Sequence, residues 1–277
     1  MKISANLSFK QALFGFILLL CFASCKKDSN DVPSDQNPIS NGAGTGVSLD
    51  NPAKKEIAMQ LVSSAENSTL DWKSQYAYIQ DIKDGRGYTA GIIGFTSGTG
   101  DMLSLVTAYT VHVPGNVLAK YIPALQSVNG SDSHNGLDPA YTSAWKTAAN
   151  DPKFKSEQEN ERDQSYFLPA IKLAKNDGLS ALGQFIYYDA AIVHGYQGLE
   201  KIRNEALKLS STPSNGGNET AYLNTFLDKR VLEMKKEPEH NDVSRIEDAQ
   251  RVFLKKQNFD LNTPLNWKVY GDAYQIN

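Results

Sequence analysis

One stretch of this chain, residues 75–95, has the composition of β-strands, and it constrains the fold most because helical patterns dominate from residue 50 onward. Aromatic and β-branched residues, among them Tyr78 and Ile79, precede the glycine-rich turn KDGRGYT, and the apolar run AGIIGF follows it. Such residues around a glycine turn predict a small antiparallel sheet. The sequence therefore predicts a mostly helical α+β fold, with this one sheet beside a cleft between two lobes.

Apolar residues recur at helical spacing over much of the remaining chain. The first predicted helix follows Asn51, a favourable N-cap, has Pro52 at its first position and ends near Glu66. The segment LSALGQFIYYDAAIVHG is more apolar and predicts a central buried helix. Further helices are predicted over 100–112, 115–128, 138–149, 151–175, 199–210, 219–237 and 243–257. We expect the C-terminal segment LNTPLNWKVYGDAYQIN to be irregular.

The N-terminus has the pattern of a secretion signal. The run ALFGFILLLCFASC is apolar, too short to span a bilayer comfortably, and preceded by lysines. We expect residues 1–24 to be a signal peptide. The final FASC resembles the lipobox of bacterial lipoproteins, which predicts lipid attachment at Cys25; a plain signal peptide cut nearby is the alternative.

A polar segment rich in Ser, Asn, Pro and Gly follows the signal. It predicts that residues 25–49 are an acylated cysteine and a flexible tether, and that residues 50–277 are the catalytic domain. The chain has two cysteines, Cys21 and Cys25, so the mature domain lacks a thiol for a disulfide or a nucleophile. We expect an exported protein at the cell surface or outside the cell, attached to a membrane by its lipid alone.

Charge and motif content exclude several classes of function. Removing residues 1–24 takes away two of 28 Lys and Arg and none of 31 Asp and Glu, which gives a net charge of −5. There is no basic patch for nucleic acid, and the histidines lack metal-ligand spacing. GFTSGTGD lacks the lysine of a phosphate-binding loop. We therefore expect no cofactor, no metal and no nucleic acid partner, and a monomer.

Two carboxylates fit the chemistry of glycoside hydrolysis, which commonly uses a pair flanking the scissile bond. Glu66 ends a helix, where burial against apolar neighbours favours the protonated form that an acid needs. Asp84 follows on a glycine turn next to Arg86, with room for a water that Thr89 could help to hold. On spacing alone, a solvated helix-end glutamate and an ordinary turn aspartate remain alternatives.

The chain resembles the chitosanases of glycoside hydrolase family 46. The resemblance rests on KKEIAMQLVSSAENSTLDWKSQYAYIQDIKDGRGYTAGIIGFTSGTGDM, NERDQSYF, ALGQFIYYDA, SRIEDAQRVFL and WKVYGDAYQIN, and it covers essentially all of 50–277. It implies a two-lobed, lysozyme-like fold. It also implies endo-hydrolysis of β-1,4-linked glucosamine polymers, chitosan, with inversion at the anomeric carbon.

The resemblance also implies roles for individual residues. Glu66 matches the general acid, Asp84 the general base, and Thr89 a residue that positions the water. The substrate-binding set implied or inferred here is Tyr78, Arg86, Asp101 and His194, with Asp101 on a sugar amino group. An interior charge network behind the acid is expected from Asp189, Arg230 and Arg245. For His194, the sequence by itself favours a surface or hydrogen-bonded histidine.

The chain departs from the family pattern at three places: in or near the core at Thr96, at a rim of the cleft at Asn241, and near the far subsites at residues 195–199. Thr96 stands where the family often has Cys, Asn241 replaces a carboxylate, and the loop Gly195–Leu199 is expected to be short. A cleft lined by carboxylates attracts the ammonium groups of chitosan. The alternatives are a peptidoglycan muramidase on the same fold and a surface glycan-binding lipoprotein without turnover.

Overall fold

The computed structural model describes residues 46–236 and 241–277. The predicted signal peptide, the lipid site at Cys25 and nearly all of the predicted tether lie outside these residues. In the described ranges, no helix has the length and apolar character needed to cross a membrane.

The first helix, α1, confirms the capping pattern in the sequence. It spans Pro52–Glu66, and the side chain of Asn51 accepts a hydrogen bond from the Ala53 N–H at 3.1 Å. Its buried face includes Leu61, Val62 and Ala65. The remaining α-helices are α2 (Asp101–His112), α3 (Ile122–Val128), α4 (Tyr141–Ala148), α5 (Pro152–Arg162), α6 (Leu168–Asn176), α7 (Ala181–Leu207), α8 (Glu219–Met234) and α9 (Arg251–Lys255).

Two predicted helices contain a wide π-type turn. The predicted helix 151–175 is α5 and α6 joined by a π-helical turn over Asp163–Phe167. Pro169 lies in the first turn of α6, where it lacks an N–H and would clash with a preceding carbonyl of a regular helix, and a π turn relieves that conflict. A second π segment, Arg245–Gln250, precedes α9.

The expected loop at Gly195–Leu199 is not found. Helix α7 continues from Ala181 to Leu207, and within it Gly195 alone leaves helical geometry, with φ 68° and ψ 169°. This left-handed φ is accessible to glycine at little cost. The predicted buried helix and the predicted helix 199–210 are therefore one element with a kink.

The predicted sheet is confirmed in the first half of the chain. Strands β1 (Ile79–Asp81), β2 (Tyr88–Ala90) and β3 (Phe95–Thr96) pair antiparallel in that order. Asp81 faces Tyr88 across the β1–β2 pair, so the six residues between them form the connecting turn. A 3₁₀-helix over Trp72–Ala77 leads into β1.

The expectation of an irregular C-terminal segment is wrong. Strands β4 (Leu265–Val269) and β5 (Asp272–Ile276) form a second antiparallel sheet, a hairpin closed by Tyr270 and Gly271 at φ 53° and 88°. Alternate residues of β4 are buried, as expected for a strand with one face on a core. The fold is nonetheless mostly helical α+β, as predicted.

The packed chain begins slightly before the expected boundary at residue 50. Leu49 is fully buried, and its N–H donates to Gln184 Oε1 at 2.8 Å. The Ser48 hydroxyl donates to the same oxygen at 2.8 Å. The last residues assigned to the tether therefore belong to the fold, because they bind the first turn of α7.

Two buried tryptophans fix the elements that carry the site. The Trp145 ring N–H donates to the Tyr76 carbonyl at 3.0 Å, which holds the entry to β1 against α4. The Trp267 ring N–H donates to Ser64 Oγ at 3.0 Å, which ties β4 to the last turn of α1. Glu66 lies two residues beyond that contact.

Candidate active site

A cleft of about 640 Å³ brings together residues from both halves of the chain. Its walls come from the end of α1, the β1–β2 hairpin, the start of α2, the kink of α7 and the region of the C-terminal hairpin. Of the predicted site residues, the cleft contains Glu66, Tyr78, Asp84, Arg86, Thr89, Asp101 and Arg245. Glu66 and Arg245, which are 179 positions apart along the chain, thus share one cavity.

Glu66 faces the cleft from the last position of α1. Its Oε1 lies 2.8 Å from Arg245 Nη1, and its side chain is 27% exposed. The apolar surroundings expected from the sequence are therefore not what the carboxylate meets, because a guanidinium occupies one side and the open cleft another. The helix end places Glu66 where its polar head can reach a ligand.

Asp84 lies on the turn between β1 and β2 and is bound by Arg86. Its Oδ2 accepts from Arg86 Nε at 2.8 Å, and its Oδ1 accepts from the Arg86 backbone N–H at 3.1 Å. Lys83 and the glycines on either side of Arg86 have positive φ, which folds the turn tightly. The Asp84 side chain is 11% exposed, so the ion pair orients a largely covered carboxylate at the cleft wall.

Thr89 lies in the middle of β2, opposite Thr96 of β3. Thr89 is 8% exposed, and its hydroxyl makes no hydrogen bond to any part of the chain that the structure describes. A covered hydroxyl without a protein partner costs free energy unless another group binds it. Thr89 therefore offers the cleft one donor and one acceptor.

Asp101 begins α2, and one of its oxygens carries all of its hydrogen bonds in the described residues. Oδ1 accepts from the Thr96 N–H at 2.9 Å, the Thr99 hydroxyl at 2.9 Å and the Met102 N–H at 2.8 Å. Burial raises the pKa of Asp101, and these hydrogen bonds oppose the increase. The arrangement fixes the side chain through Oδ1 and leaves Oδ2 for the cleft.

Asp189, Arg230 and Arg245 form a network of ion pairs behind Glu66. Arg245 Nη2 lies 2.7 Å from Asp189 Oδ1, and Arg230 Nη1 lies 2.7 Å from Asp189 Oδ2. Asp189 is 2% exposed. Burial by itself would raise its pKa, but the two guanidinium groups outweigh that effect and hold the pKa well below the ordinary value. Gln250, which the sequence analysis did not single out, donates to Asp189 Oδ2 at 2.7 Å.

Two tyrosines of the cleft were also missed, although both lie in the motifs NERDQSYF and WKVYGDAYQIN. Tyr166 comes from the π turn before α6, and burial raises its pKa to about 12. Tyr270 comes from the turn of the C-terminal hairpin, with φ 53°. The signal available in the sequence was an aromatic residue within each of these two motifs.

Two other predicted positions are not among the residues that line the cleft. His194 is flanked on α7 by Val193 and Gly195, both cleft residues, but is not itself among the cleft residues found in the described chain. Asn241 is exposed and likewise outside that set. In residues 46–236 and 241–277, no group of three or more His, Cys, Asp or Glu is arranged to hold a metal ion.

The geometry provides two carboxylates on separate elements, each with its own arginine, around one open space. A pair of this kind can divide acid and base roles, since the two groups are fixed independently. The third carboxylate, Asp101, belongs to another element and interacts with neutral donors. The cleft can therefore bind a polar, cationic ligand and supply proton transfer.

Comparison with known proteins identifies the family. Residues 60–265 match Glycosyl hydrolase family 46. A chitosanase of Streptomyces sp. (strain N174) is 60% identical over 236 residues, 84% of this chain and 85% of that protein, and one of Nocardioides sp. (strain N106) is 60% identical over 235 residues, 83% and 84%. The co-crystal structure of chitosanase OU01 with substrate has a TM-score of 0.82 and 56% identity, covering 84% of this chain and all of that one. This chain therefore belongs to glycosyl hydrolase family 46 and is a glycoside hydrolase with a two-lobed, lysozyme-like fold.

Proposed function

We propose that this chain is an endo-chitosanase, which hydrolyses β-1,4 linkages between glucosamine residues of chitosan. The observation that carries the proposal is the convergence of Glu66 and Asp84 on one cleft from separate elements. The relatives named chitosanase, one of them solved with substrate, support the substrate class. The carboxylate pair and the relatives together support chitosan as the binding partner and substrate.

The charges of the cleft favour a cationic sugar chain. Glu66 and Asp84 are each paired with an arginine, whereas Asp101 has no cationic side chain within ion-pair distance in the described chain. Its negative charge is thus available to an ammonium group. An N-acetylated sugar presents no cation at the same position, so Asp101 favours chitosan over peptidoglycan and chitin.

In the proposed reaction, Glu66 is the general acid and Asp84 the general base. Glu66 gives its proton to the glycosidic oxygen as the bond from that oxygen to the anomeric carbon breaks. Asp84 takes a proton from a water whose oxygen forms the new bond at the opposite face of the sugar. The products are two shorter chains, and the protons balance when Asp84 returns its proton and Glu66 regains one through solvent.

Other side chains hold these groups and the substrate in the proposed arrangement. The partner-free hydroxyl of Thr89 is suited to orient the attacking water. Tyr78 and Arg86 belong to the cleft wall, and Asp101 takes a sugar amino group. Asp189, Arg230 and Arg245 form the proposed supporting network behind Glu66. His194, beside the kink of α7, stays a proposed substrate contact.

Export and lipid attachment belong to the same proposal. Residues 1–24 are proposed as a signal peptide and Cys25 as the acylated residue of a monomeric, surface-anchored enzyme. Cys25→Ser should release the protein from the membrane or block its processing. A wild-type protein found wholly in the medium, with no lipid mass at its mature N-terminus, would contradict the anchor and leave the enzymatic proposal intact.

One assay tests the proposed activity. The purified enzyme is incubated with chitosan, chitin and bacterial cell wall, and released reducing ends are measured side by side. We expect release from chitosan, with mid-chain cleavage producing oligomers. Preferential release from cell wall would instead indicate a muramidase, and tight binding without release from any polymer would indicate a glycan-binding protein.

A further inference from the structure

The turn that carries Asp84 is linked to the segment after β3 by a backbone hydrogen bond from the Gly98 N–H to the Arg86 carbonyl at 3.0 Å, and not through the Asp84 side chain. Every hydrogen bond that the Asp84 side chain makes within the described residues goes to Arg86, on the same turn. The position of this carboxylate in the cleft therefore depends on how the turn as a whole is held. Residues at its two ends, Asp81 and Tyr88, face each other across the β1–β2 pair.

His134 contacts both ends of this turn from the segment between α3 and α4. Its ring stacks on the Tyr88 ring at 4.0 Å between centroids and an interplanar angle of 11°. Its Nε2 lies 3.4 Å from Asp81 Oδ2, and its Nδ1 lies 3.4 Å from Asp138 Oδ2. These are charge contacts, because Nε2 is buried and makes no hydrogen bond within the described residues. The His134 side chain is 19% exposed, so these contacts are largely sheltered from water.

Tyr88 and Asp138 complete the arrangement. The Tyr88 hydroxyl donates to Asp138 Oδ1 in a short hydrogen bond. Burial, aided by that hydrogen bond, raises the pKa of Tyr88 to about 12, so the hydroxyl keeps its proton as a donor. The Tyr88 hydroxyl thus ties the end of the turn to Asp138, and the His134 ring lies close to the same carboxylate.

We infer that His134 is a positioning residue for the reaction: it braces the two ends of the turn that presents Asp84 to the cleft. The inference rests on the proposed role of Asp84 as base. His134 is not among the residues that form the cleft in the described chain, so it acts through the turn and not on the substrate.

The brace should depend on the protonation of His134. An imidazolium ring has two N–H donors and can serve both carboxylates, whereas a neutral ring has one donor and can serve only one of them. The charged and titratable groups around it are Asp81, Asp132, Asp138, Lys83 and Tyr88. Lys83 pairs with Asp81 and lowers the pKa of that carboxyl, which keeps an anion beside Nε2.

His134→Phe tests the inference because it keeps a ring on Tyr88 and removes both nitrogens. The kcat and KM for a soluble glucosamine hexamer are measured for wild type and variant between about pH 5 and pH 8, the range in which histidines change charge. We expect kcat to fall about tenfold at the acidic end, as for a misplaced catalytic group. At the alkaline end we expect a loss below roughly threefold, since neutral wild-type His134 keeps one contact. KM should stay within about twofold of wild type, because the residues of the cleft are unchanged.

A ratio of wild-type to variant kcat that does not change with pH would overturn the inference, since loss of packing alone has no reason to follow the charge of His134. Should His134→Phe fail to fold, His134→Gln takes its place, because a glutamine donates but does not titrate. His112→Phe is the matched control: His112 also pairs with a carboxylate, Glu157 at 2.9 Å, but it is the last residue of α2 and its side chain is exposed. The ratio of wild-type kcat to that of His112→Phe should stay near one at every pH.

Asp84→Asn, measured in the same assay, separates this inference from the proposed function. If Asp84→Asn is inactive and His134→Phe equals wild type at every pH, the brace is wrong and the base assignment stands. If Asp84→Asn keeps wild-type turnover, the base assignment itself fails, and the role of His134 fails with it.

Discussion

Arg245 joins Glu66 to Asp189: one guanidinium nitrogen lies 2.8 Å from Glu66 Oε1 and another 2.7 Å from Asp189 Oδ1. Arg230 completes the set from the other side of Asp189. The proposed acid therefore stands at the open end of a buried network of two arginines and one aspartate. Because the buried members are nearly inaccessible to water, the geometry of Arg245, and with it that of Glu66, depends on Asp189.

Asp189→Asn should destabilise the enzyme strongly at neutral pH. It leaves two buried guanidinium groups without the negative charge of Asp189. Breaking a buried ion pair costs about 3–5 kcal/mol of unfolding free energy. Denaturant unfolding measures the change. Asp228→Asn is the control, since Asp228 is 68% exposed and pairs with Arg251 at the surface. A loss no larger than that of the control would contradict the network's structural role.

The cost of Asp189→Asn should shrink in acid. The folded pKa of Asp189 is depressed, so its stabilisation is complete above the unfolded value of about 3.9 and declines as pH falls below it toward the folded value. Unfolding free energies of wild type and variant should therefore converge as pH falls below about 4. A difference that stays constant there would show that the folded pKa is not depressed.

Glu66→Gln should abolish most turnover and preserve binding. Glutamine keeps the size of the side chain but has no acidic proton for the leaving oxygen, and acid–base assistance typically contributes about 10²–10⁴-fold. Reducing-end release gives kcat, and calorimetry with a glucosamine hexamer gives affinity. Glu205→Gln is the matched control, because Glu205 is exposed on α7 and pairs with Lys208 just beyond the helix. Near wild-type turnover of Glu66→Gln would rule out Glu66 as the acid.

Local signals in the sequence were enough to predict the helix end that carries Glu66 and the turn that carries Asp84. Asn51 and Pro52 predicted the start of α1 through capping chemistry that acts over a few residues, and the apolar stripe ending at Ala65 predicted its end near Glu66. The glycine turn around Asp84 was equally local. The C-terminal hairpin was missed although its signal was present: Leu265, Trp267 and Val269 alternate with exposed residues.

Contacts between distant segments could not be read from the sequence in the same way. The pairing of Glu66 with Arg245 depends on how the end of α1 meets the second π segment. The expectation of apolar surroundings for Glu66 came from the neighbouring sequence, which contains no arginine; Arg245 was expected behind Glu66 only through the family resemblance. Gln250 in the network was missed because its side chain has no distinguishing pattern of its own.

Asp101→Asn should weaken substrate binding and stabilise the fold. An asparagine oxygen can still accept the three hydrogen bonds at Oδ1, but the charge offered to the sugar ammonium is lost. We expect KM for a glucosamine hexamer to rise about tenfold, equivalent to about 1.4 kcal/mol. Asp248→Asn, an exposed carboxylate outside the cleft, should leave KM unchanged.

The stability change of Asp101→Asn has the opposite pH dependence to that of Asp189→Asn. Burial raises the folded pKa of Asp101, so its contribution is most favourable below the unfolded value and is lost as pH rises through the folded value. The variant should therefore have the higher melting temperature at neutral pH, with the gain disappearing in acid. A lower melting temperature at neutral pH would indicate that the charge of Asp101 stabilises the fold.

Stereochemistry provides the sharpest test of the proposed pair. If Asp84 activates a water, the two carboxyl groups should stand roughly 6.5–9.5 Å apart with substrate bound, against about 5–5.5 Å in a retaining enzyme. Hydrolysis of a β-linked chain should then release the α-anomer first, which proton NMR of the earliest products detects. Asp84→Asn should lose activity, with partial rescue by azide if the small anion replaces the water, while Asp272→Asn on β5 serves as control. A β-anomer appearing first, or a glycosyl-enzyme trapped on Asp84, would overturn the inverting mechanism even with chitosan as the substrate.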